Sequence, residues 1–123
     1  MRRTEFREKV IHLLYINSMD GSFEADDFSK EILERYDGIL SNLIAIDDII
    51  AKNLVRYTID RLNLVDLAIL RNATYEMAYT KLPKSISINE AINLTKKLSN
   101  LEDDQAKRFN NKLLDNIRKF LEK

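Results

Sequence analysis

The stretch Asn63-Leu-Val-Asp-Leu-Ala-Ile-Leu-Arg-Asn-Ala-Thr-Tyr-Glu-Met-Ala-Tyr79 decides the class of fold that this sequence predicts. Asn63 is suited to cap a helix with its side-chain oxygen, and Asp66 places a negative charge in the first turn. The stretch therefore predicts a helix over about Leu64–Tyr79. Residues 56–63, just before it, are predicted to form a connector that contains a short turn.

Helical patterns continue on both sides of this stretch. We predict a first amphipathic helix over residues 4–16, a second of about ten to twelve residues that ends at Asp37-Gly38, and a third over residues 39–55. The third has a broad apolar face, so we expect it to lie deep in the domain. The second is predicted to place its apolar side chains at Phe28, Ile32 and Tyr36.

Pro83 precedes the next predicted helix. Ser87 and Glu90 have the spacing of a capping box, in which each side chain bonds to the other residue's backbone amide. Glu90 is therefore interpreted as structural rather than catalytic. A loop over residues 99–104 supplies acids for the start of a last helix that runs to Phe120. The chain is predicted to be one all-α domain over residues 1–123, with six or seven helices.

The composition supports this fold class. The chain has 123 residues with two glycines, one proline and no cysteine. Too few turn residues are present for a sandwich or barrel. The lack of cysteine excludes disulfides, thiol nucleophiles and thiolate zinc sites, and agrees with a reducing compartment such as the cytoplasm. No signal-peptide or membrane-spanning stretch is recognised, so no membrane partner is expected.

The charge sums to zero but is unevenly distributed. Residues 1–12 hold four basic and two acidic side chains, and residues 105–123 hold six basic and two acidic ones. Residues 20–48 hold nine acidic and two basic ones. If the termini pack together, they form a basic surface for a polyanion. The alternative is that these charges are ordinary solvated helix faces.

Enzyme signatures are absent from the sequence. Both glycines are isolated, so no glycine-rich phosphate loop exists. His12 is the sole histidine, and a partly buried or surface structural role is favoured over a catalytic one. Paired acids at residues 26–27, 47–48 and 102–104 are better explained by helix capping than by a metal. We expect no catalytic residue, no metal and no cofactor.

One aromatic side chain stands among cations. Phe109 lies in the run Lys107-Arg-Phe-Asn-Asn-Lys112, a combination that suits phosphate contact and base stacking. A place for Phe109 in the core is the equal alternative.

Three segments of the chain together resemble the NusB family of bacterial transcription antitermination factors. The first is Arg7-Glu8 followed by Leu14-Tyr15. The second is residues 61–77, which resemble D-R-A-I-L-R-x-A-x-Y-E-L with Leu67 in place of an arginine. The third is residues 88–96, similar to I-N-E-A-x-x-L-x-K, followed by residues 109–115, similar to F-V-N-G-x-L-D.

The resemblance implies a non-enzymatic role and an all-helical fold of two small helical subdomains packed together. Members of the family bind the boxA element of nascent ribosomal RNA transcripts with NusE, a small-subunit ribosomal protein. The complex joins RNA polymerase and suppresses premature termination. Single-stranded boxA RNA, NusE and the RNA polymerase antitermination complex are therefore the expected partners.

The resemblance also assigns site residues. The RNA contacts are expected at Arg2, Arg3, Arg7, Lys9, Lys107, Arg108, Phe109 and Lys112. The surface that faces NusE is expected to include Tyr15 and Asp66. Two positions depart from the family pattern: Asn110 and Lys112 replace the usual valine and glycine.

A different class of function is compatible with the same fold. The chain would then be a protein-interaction module, or a homodimer, without significant RNA binding. The sequence does not set the oligomeric state.

Overall fold

The computed structural model describes residues 2–99 and 104–123, and it contains six α-helices in that part of the chain. The helices are α1 (Arg3–Ser18), α2 (Lys30–Ser41), α3 (Leu43–Asn53), α4 (Leu64–Tyr79), α5 (Lys84–Leu98) and α6 (Gln105–Leu121). Single 3₁₀ turns lie at Ala25–Asp27 and Ile59–Arg61. No strand occurs over these residues, so the predicted all-α class is confirmed. None of the described helices is long and apolar enough to cross a membrane.

Helix α4 is the central element, because each of the other five helices packs against it. Leu67, Ala68, Ile69 and Leu70 are all buried within one turn of it. Its bounds match the predicted ones, and the predicted cap is present. The Asn63 Oδ1 atom accepts hydrogen bonds from the backbone N–H groups of Val65 at 2.9 Å and Asp66 at 3.4 Å. The sequence thus specifies both the start and the position of this helix.

Ion pairs tie the first three helices to α4. Arg7 of α1 donates from Nε and Nη2 to the two carboxylate oxygens of Glu76, at 2.9 and 3.2 Å. Arg35 of α2 donates to the same carboxylate at 2.8 Å. From α3, the Asp47 carboxylate accepts two hydrogen bonds from Arg71, at 2.9 and 2.8 Å. Helix α4 therefore supplies one charged partner to each helix that precedes it.

The boundary between α2 and α3 differs from the prediction. Helix α2 continues through Gly38 to Ser41, and α3 begins at Leu43. Gly38 does not adopt the left-handed cap conformation, since no glycine has positive φ. A Cβ atom at this position would lie 2.8 Å from the Tyr75 hydroxyl, so the glycine permits close packing of α2 on α4. Helix α3 is also less deeply buried than expected: Ile46 and Ile50 are buried, but Ile44 is 90% exposed.

The predicted capping box in α5 is wrong. The helix begins at Lys84, with Pro83 as its N-cap residue, four residues earlier than expected. Ser87 therefore lies inside the helix and is buried, and its Oγ atom has no hydrogen-bond partner in the described chain. Glu90 instead accepts a 3.4 Å hydrogen bond from the Thr4 hydroxyl of α1. Glu90 links two helices rather than capping one.

Helix α6 is regular across both positions that depart from the family pattern. Asn110 is fully buried, and its Nδ2 donates to Thr95 Oγ1 at 3.1 Å and to Asp66 Oδ1 at 3.3 Å. Lys112 is exposed. Asp104 precedes the helix without a side-chain cap bond. Glu102 and Asp103, the other acids predicted to favour its start, lie outside the described residues.

Candidate nucleic-acid interface

Arg7 does not lie on a surface that RNA can reach. Its side chain is 4% exposed and its guanidinium is held by Glu76, whose side chain is 1% exposed. Burial alone would raise the pKa of Glu76, but hydrogen bonds and charges from Arg7 and Arg35 outweigh that effect, so the pKa lies below its ordinary value. A buried charge of this kind needs its partner. We therefore remove Arg7 from the expected RNA contacts and assign it to the interior.

The other cations at the start of α1 are exposed. Arg2 is the N-cap residue and Arg3 occupies the first turn. Arg3 donates to Glu31 at 3.4 Å, and its guanidinium carbon lies 5.3 Å from the centre of the Phe6 ring. Lys9 follows two turns after Arg2, so the two positions lie on the same side of the helix. These three cations form the α1 patch.

Tyr15 lines a groove beside the α1 patch. The groove has a volume of about 570 Å³ and lies between α1, the 3₁₀ turn at Ala25–Asp27 and the start of α4. Its apolar lining includes Tyr15, Phe28, Val65 and Leu98, and its polar lining includes Glu8, Lys9, His12 and Asp27. Mixed lining of this kind suits a protein segment with apolar and basic side chains. His12 is exposed here and has no described catalytic partner.

Asp66 is beside this groove in sequence but serves a different contact. Its Oδ1 atom accepts hydrogen bonds from Ser99 Oγ at 2.9 Å and from Asn110 Nδ2 at 3.3 Å. The carboxylate thus joins the start of α4 to the end of α5 and to α6. Val65, its neighbour, supplies the apolar surface of the Tyr15 groove. Of the two residues expected to face a protein partner, Tyr15 is the one that lines the groove.

The cations around Phe109 are on α6, at a second groove of about 480 Å³. Arg108, Phe109 and Lys112 line it, together with the polar or apolar residues Asn53, Leu54, Val55, Tyr57, Gln105, Leu113 and Asn116. Lys107 is half-buried and is not among the lining residues. Phe109 is half-buried and packs against the core, while its ring also meets Tyr57. The core interpretation of Phe109 thus describes part of its environment, and its contact with RNA stays a prediction.

Tyr57 was not identified from the sequence. Its ring centre lies 5.6 Å from that of Phe109, with the planes at 86°, an edge-to-face pair. The two residues are far apart in the chain, so helical periodicity gives no signal for this contact. The available sequence signal was an aromatic residue next to Arg56 in a polar connector.

No metal-binding group is found over residues 2–99 and 104–123. No group of three or more His, Cys, Asp or Glu side chains in this part of the chain is placed to hold a metal. Asp47, which belongs to one of the acid pairs noted in the sequence, forms an ion pair with Arg71.

Comparison with known proteins gives consistent results over nearly the whole chain. The family model described as "NusB family" matches residues 5–119. "Transcription antitermination protein NusB" of Aliarcobacter butzleri is 40% identical, covering 94% of this chain and 95% of its own. The Bacillus subtilis protein of the same name is 35% identical, covering 99% and 98%.

Solved structures also match the fold. The structure "T. maritima NusB, P3121, Form 2" superposes with a TM-score of 0.82 at 29% identity, covering 97% of this chain and 92% of the other. A chain of a structure described as "Crystal Structure of a Plectonemic RNA Supercoil" also gives a TM-score of 0.82, at 25% identity, covering 98% and 96%.

Proposed function

The chain belongs to the NusB family, and from this premise we propose that it is a transcription antitermination factor that binds boxA-like RNA of nascent ribosomal RNA transcripts together with NusE, and so acts on elongation by RNA polymerase. The observation that carries the proposal is the family match over residues 5–119, with relatives named transcription antitermination proteins. The proposed role is binding and assembly, without catalysis or a cofactor.

The α1 patch supports the RNA contact. Arg2, Arg3 and Lys9 are exposed on one helix, and their side chains are long enough to follow a phosphate backbone. Contacts of this kind give affinity and orientation but little choice of sequence. The proposal therefore assigns to these residues a salt-dependent share of the binding energy, whereas sequence preference must come from contacts to bases.

The Tyr15 groove supports the contact with NusE. Its apolar side chains would be covered by a protein partner, and the exposed Asp27 in its lining suits a basic side chain of a ribosomal protein, whereas Glu8 is already paired with Lys97. Asp66 contributes indirectly in this proposal, because it fixes the start of α4 and hence the position of Val65.

A second candidate function rests on the same groove. An apolar groove that can be covered by protein does not require RNA, so the chain would serve as a protein-interaction module or as a homodimer joined through the Tyr15 groove. In that case the cations of the α1 patch would be solvated and RNA binding would be insignificant. Binding measurements separate the two candidates.

The test is fluorescence anisotropy of a labelled boxA-like RNA and a scrambled RNA, with and without NusE, over a series of salt concentrations. We expect tighter binding to the boxA-like RNA, enhancement by NusE and weakening by salt. Replacing Arg2 and Arg3 together by glutamine should reduce the salt slope by about two, about one for each lost phosphate contact. Lys81→Gln, at an exposed lysine just after α4, is the matched control.

Two results would contradict the proposal. Equal and weak binding of both RNAs even with NusE present would favour the protein-interaction module. An unchanged salt slope in the Arg2→Gln/Arg3→Gln variant would show that the α1 patch is not the phosphate-binding surface. Native mass spectrometry of the isolated chain reports whether a homodimer forms.

A further inference from the structure

A buried polar network lies behind one wall of the Tyr15 groove. Asn110 of α6 is fully buried, and its Nδ2 atom donates to Thr95 Oγ1 at 3.1 Å and to Asp66 Oδ1 at 3.3 Å. Ser99 is also buried, and its Oγ atom donates to the same Asp66 oxygen at 2.9 Å. The network therefore joins the first turn of α4, the end of α5 and the first half of α6.

The orientation of the Asn110 amide is fixed by its neighbours. The Thr95 hydroxyl donates its one proton to the Ala91 carbonyl oxygen at 2.8 Å, so its oxygen accepts from Asn110. The carboxylate oxygen of Asp66 is likewise an acceptor. The amide must therefore turn its nitrogen toward both neighbours. A side chain without an N–H group, such as the valine of the family pattern, makes neither bond.

The network is attached to two residues of the groove wall. Val65, which lines the groove, directly precedes Asp66. Leu98, which also lines the groove, directly precedes Ser99. The hydrogen bond from Ser99 to Asp66 thus links the two backbone segments that carry these apolar side chains. Asn110 supports the link from α6, because it donates to the same carboxylate oxygen, and it does not itself line the groove.

Stability alone does not account for an asparagine at this buried position. The Asn110 Oδ1 atom is buried and has no hydrogen-bond partner within residues 2–99 and 104–123. An unsatisfied buried oxygen is destabilising, and it offsets much of what the two donated hydrogen bonds contribute. An apolar side chain of similar shape would therefore give a similar free energy of unfolding, but it would not hold Asp66.

We propose that Asn110 is a positioning residue for protein binding at the Tyr15 groove, because through Asp66 it holds Val65 in place against Leu98 and so sets the shape of the apolar wall. The inference rests on the proposed function, in which this groove contacts NusE, and extends it to a residue outside the groove. A wall that is ordered before binding loses less entropy when the partner arrives, so the network raises affinity without contacting the partner. The competing interpretation is that Asn110 serves only the packing of α4, α5 and α6.

The first test separates binding from stability. Asn110→Val removes both donated hydrogen bonds. Asn111→Val, at the next and exposed residue of the same helix, makes the same change in helix propensity and is the matched control. We expect isothermal titration calorimetry with NusE to give an affinity about ten-fold weaker for Asn110→Val and unchanged for the control. Both variants should unfold in urea near the wild-type midpoint. An unchanged NusE affinity of Asn110→Val, whatever its midpoint, would overturn the inference.

A second variant covers the case in which Asn110→Val also lowers the midpoint. Ser99→Ala removes the other described hydrogen bond to Asp66 Oδ1, from a residue that does not line the groove. If both residues act through Asp66, the double variant should weaken NusE binding by clearly less than the product of the two separate factors. Factors that simply multiply would contradict positioning through Asp66.

Hydrogen exchange of the free chain reports on the wall without NusE. The Ser99 amide donates to the Thr95 carbonyl oxygen at 3.0 Å, at the end of α5. Asn110→Val should speed exchange at Ser99 more than at Ile69, in the buried middle of α4. A loss of global stability alone would speed the slowest amides alike, and such a uniform change would support the packing interpretation instead.

The outcomes separate this inference from the proposed function. NusE binding by the wild type, with no effect of Asn110→Val, would keep the function and remove the positioning role. No NusE binding by the wild type, with exchange in Asn110→Val faster only at the end of α5, would keep the role of Asn110 in the groove and remove NusE as its partner.

Discussion

At the scale of single residues, Arg7 shows how position in the fold decides the role of a charge. Arg3 and Arg7 are one helical turn apart on α1, yet Arg3 is exposed and Arg7 is buried against Glu76. Arg35 donates to the same carboxylate, so one buried acid is shared by two guanidinium groups. Removing a member of such a group leaves a buried charge without its full set of partners.

Replacement of Arg7 by methionine should therefore lower the free energy of unfolding by about 3 kcal/mol. Arg2→Met, at an exposed position, is the control and should change it by less than about 0.5 kcal/mol. Urea denaturation followed by circular dichroism measures both. Equal stabilities of the two variants, with a reduced salt slope of RNA binding in Arg7→Met, would instead return Arg7 to the RNA surface.

The candidate site was partly predictable at this scale. The sequence shows directly that cations cluster at both termini. It also shows that Phe109 lies among the cations of α6, because composition and spacing carry that information. The burial of Arg7 cannot be read in this way, since its partner Glu76 is 69 positions away. The same reason explains why Tyr57 was missed: its contact with Phe109 is made only by the packing of a connector against α6.

At the scale of helices, capping signals gave one correct start and one wrong start. Asn63 bonds two amides at the start of α4, as expected. At α5 the helix already starts after Pro83, whose fixed φ suits a helix start, so Ser87 is left inside. The end of α2 was misplaced for a different reason. A Cβ atom at Gly38 would lie 2.8 Å from the Tyr75 hydroxyl, so the glycine makes room for a ring from α4, a tertiary contact that local patterns do not reveal.

The two caps lead to opposite expectations for alanine variants. Asn63→Ala removes a true cap and should cost about 1 kcal/mol of stability. Ser87→Ala removes a buried hydroxyl without a described partner, so it should be neutral or slightly stabilising. Thermal or urea unfolding of the two variants provides the comparison. A cost of about 1 kcal/mol for Ser87→Ala would mean that its hydroxyl does cap the helix.

At the scale of the whole molecule, the buried carboxylate of Glu76 makes stability depend on pH. Its folded pKa lies below the ordinary value of 4.5, because hydrogen bonds and charges from Arg7 and Arg35 outweigh the effect of burial. The unfolded chain therefore takes up this proton first as the pH falls. The contribution of Glu76 to stability is fully present above about pH 4.5 and is lost as the pH falls through the folded pKa.

We expect the free energy of unfolding to fall from pH 5 to pH 3, and to fall less in Glu76→Gln, whose amide does not titrate. Asp60 and Asp115, whose pKa values are also lowered, are common to both chains and contribute equally. Urea unfolding at each pH gives the two slopes. The variant is expected to be less stable at neutral pH, so the test is the difference in slope; an equal slope would contradict the assignment.

The fold class was predictable because it depends on quantities that the sequence contains, namely composition, helical periodicity and the cap at Asn63. The order of the helices and the bounds of α4 followed from them. Packing was not predictable in this way. The exposure of Ile44 illustrates this, because an apolar face wider than the available core leaves some members in solvent.

The ion pairs that converge on α4 also bear on how the chain is made. Arg7, Arg35 and Asp47 are all synthesised before their partners, which lie at residues 71 and 76. While the ribosome is still adding the first 63 residues, these charges must remain hydrated, because entering an interior without a counter-charge is costly. We therefore expect the three leading helices to reach their native packing only after translation has passed Glu76.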